Sequence, residues 1–101
     1  MSQWTFLTNH TLVLSYIARH PRITALDISK SISITERATR KIIADLSEEG
    51  YIEKKREGRR VRYRINYELP LRHPSHGESI IGDLLKSIKK KNVTARQIKE
   101  A

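Results

Sequence analysis

A capped helix, a sharp break, a second helix and then an arginine-rich hairpin follow one another between residues 24 and 65, and this order constrains the fold more than any other feature. Thr24-Ala25-Leu26-Asp27 has the form of a capping box with Asp in the usual place of Glu, and Leu26 and Ile28 are read as the start of a short helix's buried face. Ser31-Ile32-Ser33-Ile34 continues a helix poorly, because its isoleucines are β-branched and its serines compete for backbone hydrogen bonds. The chain is expected to turn there. Thr35 is the next good N-cap, Glu36 suits the positive end of a helix dipole, and the helix can run to Glu49 before Gly50 supplies a left-handed stop.

At about 100° per residue, this second helix places Thr39, Ile42, Ile43 and Leu46 on one side. Arg37, Lys41, Ala44 and Glu48 fall on the opposite side, with Arg40 flanking. The charge on the free face is sorted: Arg37, Arg40 and Lys41 come first, and Asp45, Glu48 and Glu49 come last. A helix dipole favours the reverse order, so an anion near the helix start is the expected cause. Tyr51-Ile52 then opens a strand that alternates into Lys54 and Arg56. After Glu57-Gly58 the chain returns, with Val61, Tyr63 and Ile65 on one face and Arg60, Arg62 and Arg64 on the other. Gly58 permits the positive φ that a tight hairpin requires. Edge strands often carry basic residues to block aggregation, but seven in the eleven residues Lys54 to Arg64 exceed that need.

The flanks supply packing elements. Thr8 is a candidate cap for a first helix over Asn9 to His20, with Leu12, Val13, Tyr16 and Ile17 at near-helical spacing and Pro21 closing it. The apolar cluster Trp4, Phe6 and Leu7 ahead of it is expected to pack; left exposed, it would suit a partner. From Asn66 to Gly77 the chain is a polar connector whose two prolines, Pro70 and Pro74, oppose a regular element. A last helix is expected from Glu78 to about Lys90, with Ile80, Ile81, Leu84, Leu85 and Ile88 facing either the domain's own core or a second copy. The dimer contact is the preferred reading. Beyond it lies a basic tail.

Twenty Lys plus Arg against eleven Asp plus Glu give a net charge of +9 in 101 residues, which favours a polyanionic partner. The length fits one core. The absence of cysteine excludes disulfides, thiolate metal sites and cysteine nucleophiles. No apolar run reaches the roughly 18 residues of a spanning helix, and the start lacks a signal-peptide pattern, so a soluble cytoplasmic location is expected. No Gly-rich phosphate loop or catalytic histidine constellation points to an enzyme, and no cofactor is implied. His73-x-x-His76 has ligand-like spacing, but Pro74 opposes the helical arrangement a metal would need, and no metal site is assigned. His10 and His20 are read as helix-end or core partners.

These elements make a mainly helical α+β chain: a winged helix-turn-helix over residues 1–77 with a two-stranded basic wing, then a C-terminal helix and tail over 78–101. From about Leu12 to Ile65 the chain resembles winged helix-turn-helix transcriptional regulators of the MarR/ArsR type. The resemblance is carried by Leu26-Asp27-Ile28-Ser29, Ile34-Thr35-Glu36-Arg37-Ala38, Glu48-Glu49-Gly50-Tyr51-Ile52 and Arg56-Glu57-Gly58-Arg59-Arg60-Val61-Arg62-Tyr63. It implies homodimers that act at promoters. The thiol-based metal sensing of some relatives does not carry over to a chain without cysteine.

The expected function is sequence-specific binding of double-stranded DNA, with a recognition helix over about 35–49 in the major groove and a wing over about 51–65 on the backbone or minor groove. Arg37 and Arg40 suit bidentate contacts to guanine, whereas Lys41, Arg59 and Arg60 suit phosphates. Thr35 and the free amides at the helix start suit a phosphate as well, and Glu36, Arg56 and Arg62 complete the candidate surface. Ser29 and Lys30 are weaker candidates. Two alternatives stand beside this reading: a protein-interaction winged helix, favoured by Asp45, Glu48 and Glu49, and an RNA-binding one, which wants more exposed aromatics than Tyr63 and Tyr67. No effector is legible.

Overall fold

A computed structural model describes residues 6–71, 75 and 79–88. The chain divides into two compact units, Met1–Asn66 and Tyr67–Ala101. The first holds α1 (Asn9–Arg19), α2 (Ala25–Ile32), α3 (Glu36–Glu48), β1 (Ile52–Glu57) and β2 (Arg60–Ile65). The second holds α4 (Ile81–Ser87).

Each of the first three helices starts on a threonine in extended conformation whose hydroxyl accepts an amide of the first turn. Thr8 takes the N–H of Thr11, Thr24 that of Asp27 and Thr35 that of Ala38. The third helix ends as its sequence predicts, with Gly50 at φ 86°. α1 and α2 both pack on α3, and Val13, Ile17, Ile28, Ile43 and Leu46 form the centre of the core. Burying such side chains contributes about 1.5–3 kcal/mol each. Leu14 is also buried, a position outside the expected stripe. Tyr51, Ile52 and Ile65 close the core at the base of the hairpin, so the wing grows directly out of the packed centre.

The break between α2 and α3 falls later than expected. α2 runs on through Ser31 and Ile32 and turns at Ser33, which adopts the left-handed conformation at φ 59°. The serines do not compete with the helix, because they bond back to it: Ser29 Oγ donates to Leu26 O at 2.7 Å and Ser31 Oγ to Asp27 O at 3.0 Å. Ile34 N–H then donates to Ser29 O at 3.1 Å, which fixes the turn. Leu26 is 44% exposed, against the expectation that it is buried. It lies about 100° round the helix from Ala25, off the side formed by Ala25, Ile28 and Ser29.

In the second unit the helix begins at Ile81, later than Glu78, and ends at Ser87. Ile80 is extended and forms a bridge with Pro70. Proline has no N–H to give, and its neighbours make the bonds instead: Leu71 N–H donates to Ser79 O and Ile81 N–H to Leu69 O, each at 2.8 Å. The connector is thus partly paired rather than irregular. Gly82 sits against Tyr67, where a Cβ would lie 3.1 Å from the Tyr67 carbonyl oxygen. Trp4, His73, His76, Glu78 and the tail from Lys89 onward lie outside the described residues.

Candidate nucleic-acid interface

The exposed side of α3 is a strip of Arg37, Lys41, Ala44 and Glu48, opposite the wholly covered Thr39 and the buried Ile42, Ile43 and Leu46. Thirteen residues give it about 20 Å of length. Its cations differ in their ties. Arg40 donates to Glu36 one turn back, through Nε at 3.2 Å and through Nη2. Lys41 donates to Asp45 one turn ahead at 3.2 Å. Arg37 has no hydrogen-bond or ion-pair partner among the described residues. At the helix start, the Thr35 hydroxyl is engaged as an acceptor by Ala38 N–H at 3.0 Å, and the amides of Glu36 and Arg37 have no acceptor among the described residues.

The two flanks of α3 are held differently. On one side Asp45 accepts a hydrogen bond from His10 Nε2 of α1 at 2.9 Å. That bond, then the one from Lys41, holds the Asp45 carboxyl below the ordinary value of 3.8. His10 is therefore an exposed helix-end partner, as its position suggested. On the other side Arg40 lies near the wing, close enough for its charge to act on the Tyr63 phenol. Burial is the larger influence on that phenol and pushes it above 10.0.

β1 and β2 pair antiparallel with Ile52 opposite Ile65, Lys54 opposite Tyr63, Arg56 opposite Val61 and Glu57 opposite Arg60. Gly58, at φ 66°, is the first residue of the two-residue turn, and Arg59 has no positive φ. That is the pattern of a type II′ hairpin, whose twist matches the strands. The register puts basic residues on both faces of the ribbon. Arg64 donates to Glu53 at 3.1 Å, and Arg62 lies 3.6 Å from Glu57. Lys54, Lys55, Arg56, Arg59 and Arg60 have no acidic partner among the described residues. All five are exposed.

Residues 8–53 match the family model of winged helix-turn-helix DNA-binding domains. The match runs from the α1 cap into β1, and the elements around it complete a small α+β winged helix. Most of the basic wing lies beyond it. No curated protein matches the chain significantly.

Two features of this winged helix-turn-helix were not read from sequence. Tyr63 N–H donates to Pro21 O at 2.8 Å, and Arg22 Nε donates to Glu57 at 3.1 Å, so the α1–α2 loop braces both strands of the wing. An X-Pro segment gave a turn signal but no sign of its strand partner. The Arg22 hydrogen bond, with Arg62 in a lesser part, holds the Glu57 carboxyl below 4.5. The expected packing of the N-terminal aromatics fails at Phe6, which is 89% exposed. It lies two residues before the Thr8 cap, whereas Leu7, in the position that staples onto a helix, is partly covered. Among the described residues no helix is long and apolar enough to cross a membrane, and no three His or acidic side chains converge as metal ligands.

Proposed function

We propose that the chain is a sequence-specific transcriptional regulator of the MarR/ArsR type that binds double-stranded DNA as a homodimer. α3 enters the major groove and the wing follows the backbone or the minor groove. One observation carries this reading: Arg37 stands on the free face of α3, in its first turn, and neither it nor five cations of the wing on the same unit have an acid partner among the described residues. An unpaired guanidinium keeps its two-pronged donor set for guanine N7 and O6, worth about 1–3 kcal/mol of discrimination. Arg40, Lys41 and Arg62 must first loosen an ion pair, and they serve better as adjustable phosphate contacts with Arg56, Arg59 and Arg60. Thr35 and the α3 amides form a phosphate seat. The C-terminal helix supplies the dimer contact, and two α3 helices then reach half-sites about one helical turn apart.

Binding-site selection from random duplex, followed by titrations at two salt concentrations, tests this. Arg37→Ala should flatten the selected motif. A double replacement of Arg59 and Arg60 by Ala should weaken all duplexes alike and reduce the salt slope by about two units. Equal losses on every sequence for both variants would refute the division of roles, and a flat salt response with no selected motif would refute the function.

A further inference from the structure

Beside the reading face, the unit Met1–Asn66 holds a half-open cleft of about 290 Å³ between the start of α2, one flank of α3 and the inner face of the wing. Its wall carries Arg22, Arg40, Lys54, Arg59 and Arg60. Glu57 and Glu36 pair with the first two, and no carboxylate lines the cleft. Lys54, Arg59 and Arg60 are left uncompensated among the described residues. Ala25 adds the open end of a helix: its amide and that of Leu26 have no acceptor among the described residues, because the Thr24 hydroxyl takes only Asp27 N–H. Ile23, Ile43, Val61 and Tyr63 make the rest apolar. The Tyr63 phenol stays neutral and able to donate, since burial raises it above 10.0.

A volume near 290 Å³ is at the small end of ligand pockets, which are mostly apolar with a few polar groups that fix orientation. A backbone diester would meet the cations but leave Ile43, Val61 and the Tyr63 ring without a planar partner. A phosphate monoester on a small ring satisfies both halves. We propose that this cleft binds a small organic phosphate, its ring against Ile43, Val61 and Tyr63 and its phosphoryl group among Lys54, Arg59, Arg60 and the Ala25 amide, and that this ligand excludes duplex. The exclusion rests on the DNA-binding reading above, because Arg59 and Arg60 serve both ligands.

The test uses the full chain, labelled with nitrogen-15 and titrated at constant ionic strength with phenyl phosphate, inorganic phosphate and phenol in turn. Phenyl phosphate should give saturable amide shifts at Ala25, Leu26 and Lys54, at lower concentration than either half-molecule. Lys54→Glu should abolish them, and Lys54→Gln should weaken them, with the remaining resonances unmoved. Shifts that do not saturate, or that are equal for phenyl phosphate and inorganic phosphate, would overturn the site. Shifts caused by duplex but not by phenyl phosphate would assign the cleft to the DNA backbone and overturn it too. At ten times its own Kd, phenyl phosphate should raise the apparent duplex Kd about tenfold relative to sodium chloride of equal ionic strength. Saturable cleft shifts without that competition would overturn the exclusion. Saturable shifts in a chain that binds no duplex would leave the site standing and remove the DNA reading instead.

Discussion

Glu36→Gln should move stability and affinity in opposite directions. Glu36 is the first residue of α3, and its carboxylate receives both Nε and Nη2 of Arg40. The two side chains are 41% and 67% exposed, so solvent screens the pair and its worth is about 0.3–0.5 kcal/mol. The carboxylate also sits at the positive end of the helix, a contribution of about 0.3–1 kcal/mol at such a surface. Neutralising it should therefore lower unfolding free energy by about 0.6–1.5 kcal/mol, measured by urea denaturation with an unchanged m-value. For binding the sign reverses. Arg40 must leave Glu36 to reach a base or phosphate, and releasing that tie returns about 0.3–0.5 kcal/mol, close to twofold in Kd. Removing a negative charge from a surface that meets phosphates adds to the gain at low salt, and the addition fades as salt rises. Anisotropy titrations of a selected duplex should show Glu36→Gln binding about two- to threefold tighter at low salt. A fivefold loss of affinity would refute the reasoning. It would mean that the carboxylate accepts a base donor such as cytosine N4, or that it holds Arg40 in its productive position.

Gly58→Ala should cost about 1 kcal/mol, or about 4–8 °C in Tm, because nothing lies within 4 Å of the added Cβ and only the positive φ opposes it. Gly58→Asn should cost less than half of that, and equal losses would point to a steric cause. Asp45 titrates below 3.8 in the folded chain, so its bonds to His10 and Lys41 contribute stability above its unfolded pKa and lose it as pH falls through the folded one. A carboxyl-carbon titration should place Asp45 below 3.8, and His10→Ala should shift it upward; an unshifted midpoint in the variant would refute the His10 contact. Ile28→Ala, at a wholly covered position, should cost about 2–5 kcal/mol, and a loss below 1 kcal/mol in urea denaturation would contradict its place in the core.

The architecture was legible wherever a local rule acted alone. Threonine caps, Gly50, Gly58 and the apolar stripe of α3 each signal through their own chemistry, and each forms the element expected of it. Errors arose where two local rules met a third, distant one. Ser31 and Ser33 looked like breakers, yet a serine that bonds back to its own helix costs that helix little, and only Ser33 turns. Glu78 to Ile80 looked helical by apolar spacing, but Ile80 is extended in its bridge with Pro70, a pairing ten residues apart that periodicity does not register. The brace from Pro21 to Tyr63 spans a still longer interval. Long-range pairs leave no trace in a window of local propensity.

The charge order along α3 shows how the structure redistributes an argument made from sequence. Bases ahead of acids run against the helix dipole, and an external anion was the expected explanation. Two of the three bases have an internal one instead: Arg40 follows Glu36 and Lys41 precedes Asp45, each at the four-residue spacing that lets side chains meet. These pairs are not equal, since an acid ahead of its base is the favourable orientation and Lys41 with Asp45 has the reverse. Asp45 is further occupied by His10, so its position is accounted for by the tie between α1 and α3. Arg37 remains. It sits in the first turn, beside amides that already present positive charge; the acid of that turn, Glu36, is paired with Arg40, and Arg37 pairs with no acid among the described residues. Within the helix that placement is unfavourable, and a polyanion held against the helix start turns the same placement into a favourable one. The case for a ligand at α3 therefore rests on Arg37 more than on the whole basic half, and replacing Arg37 by Ala should cost DNA affinity without costing the fold.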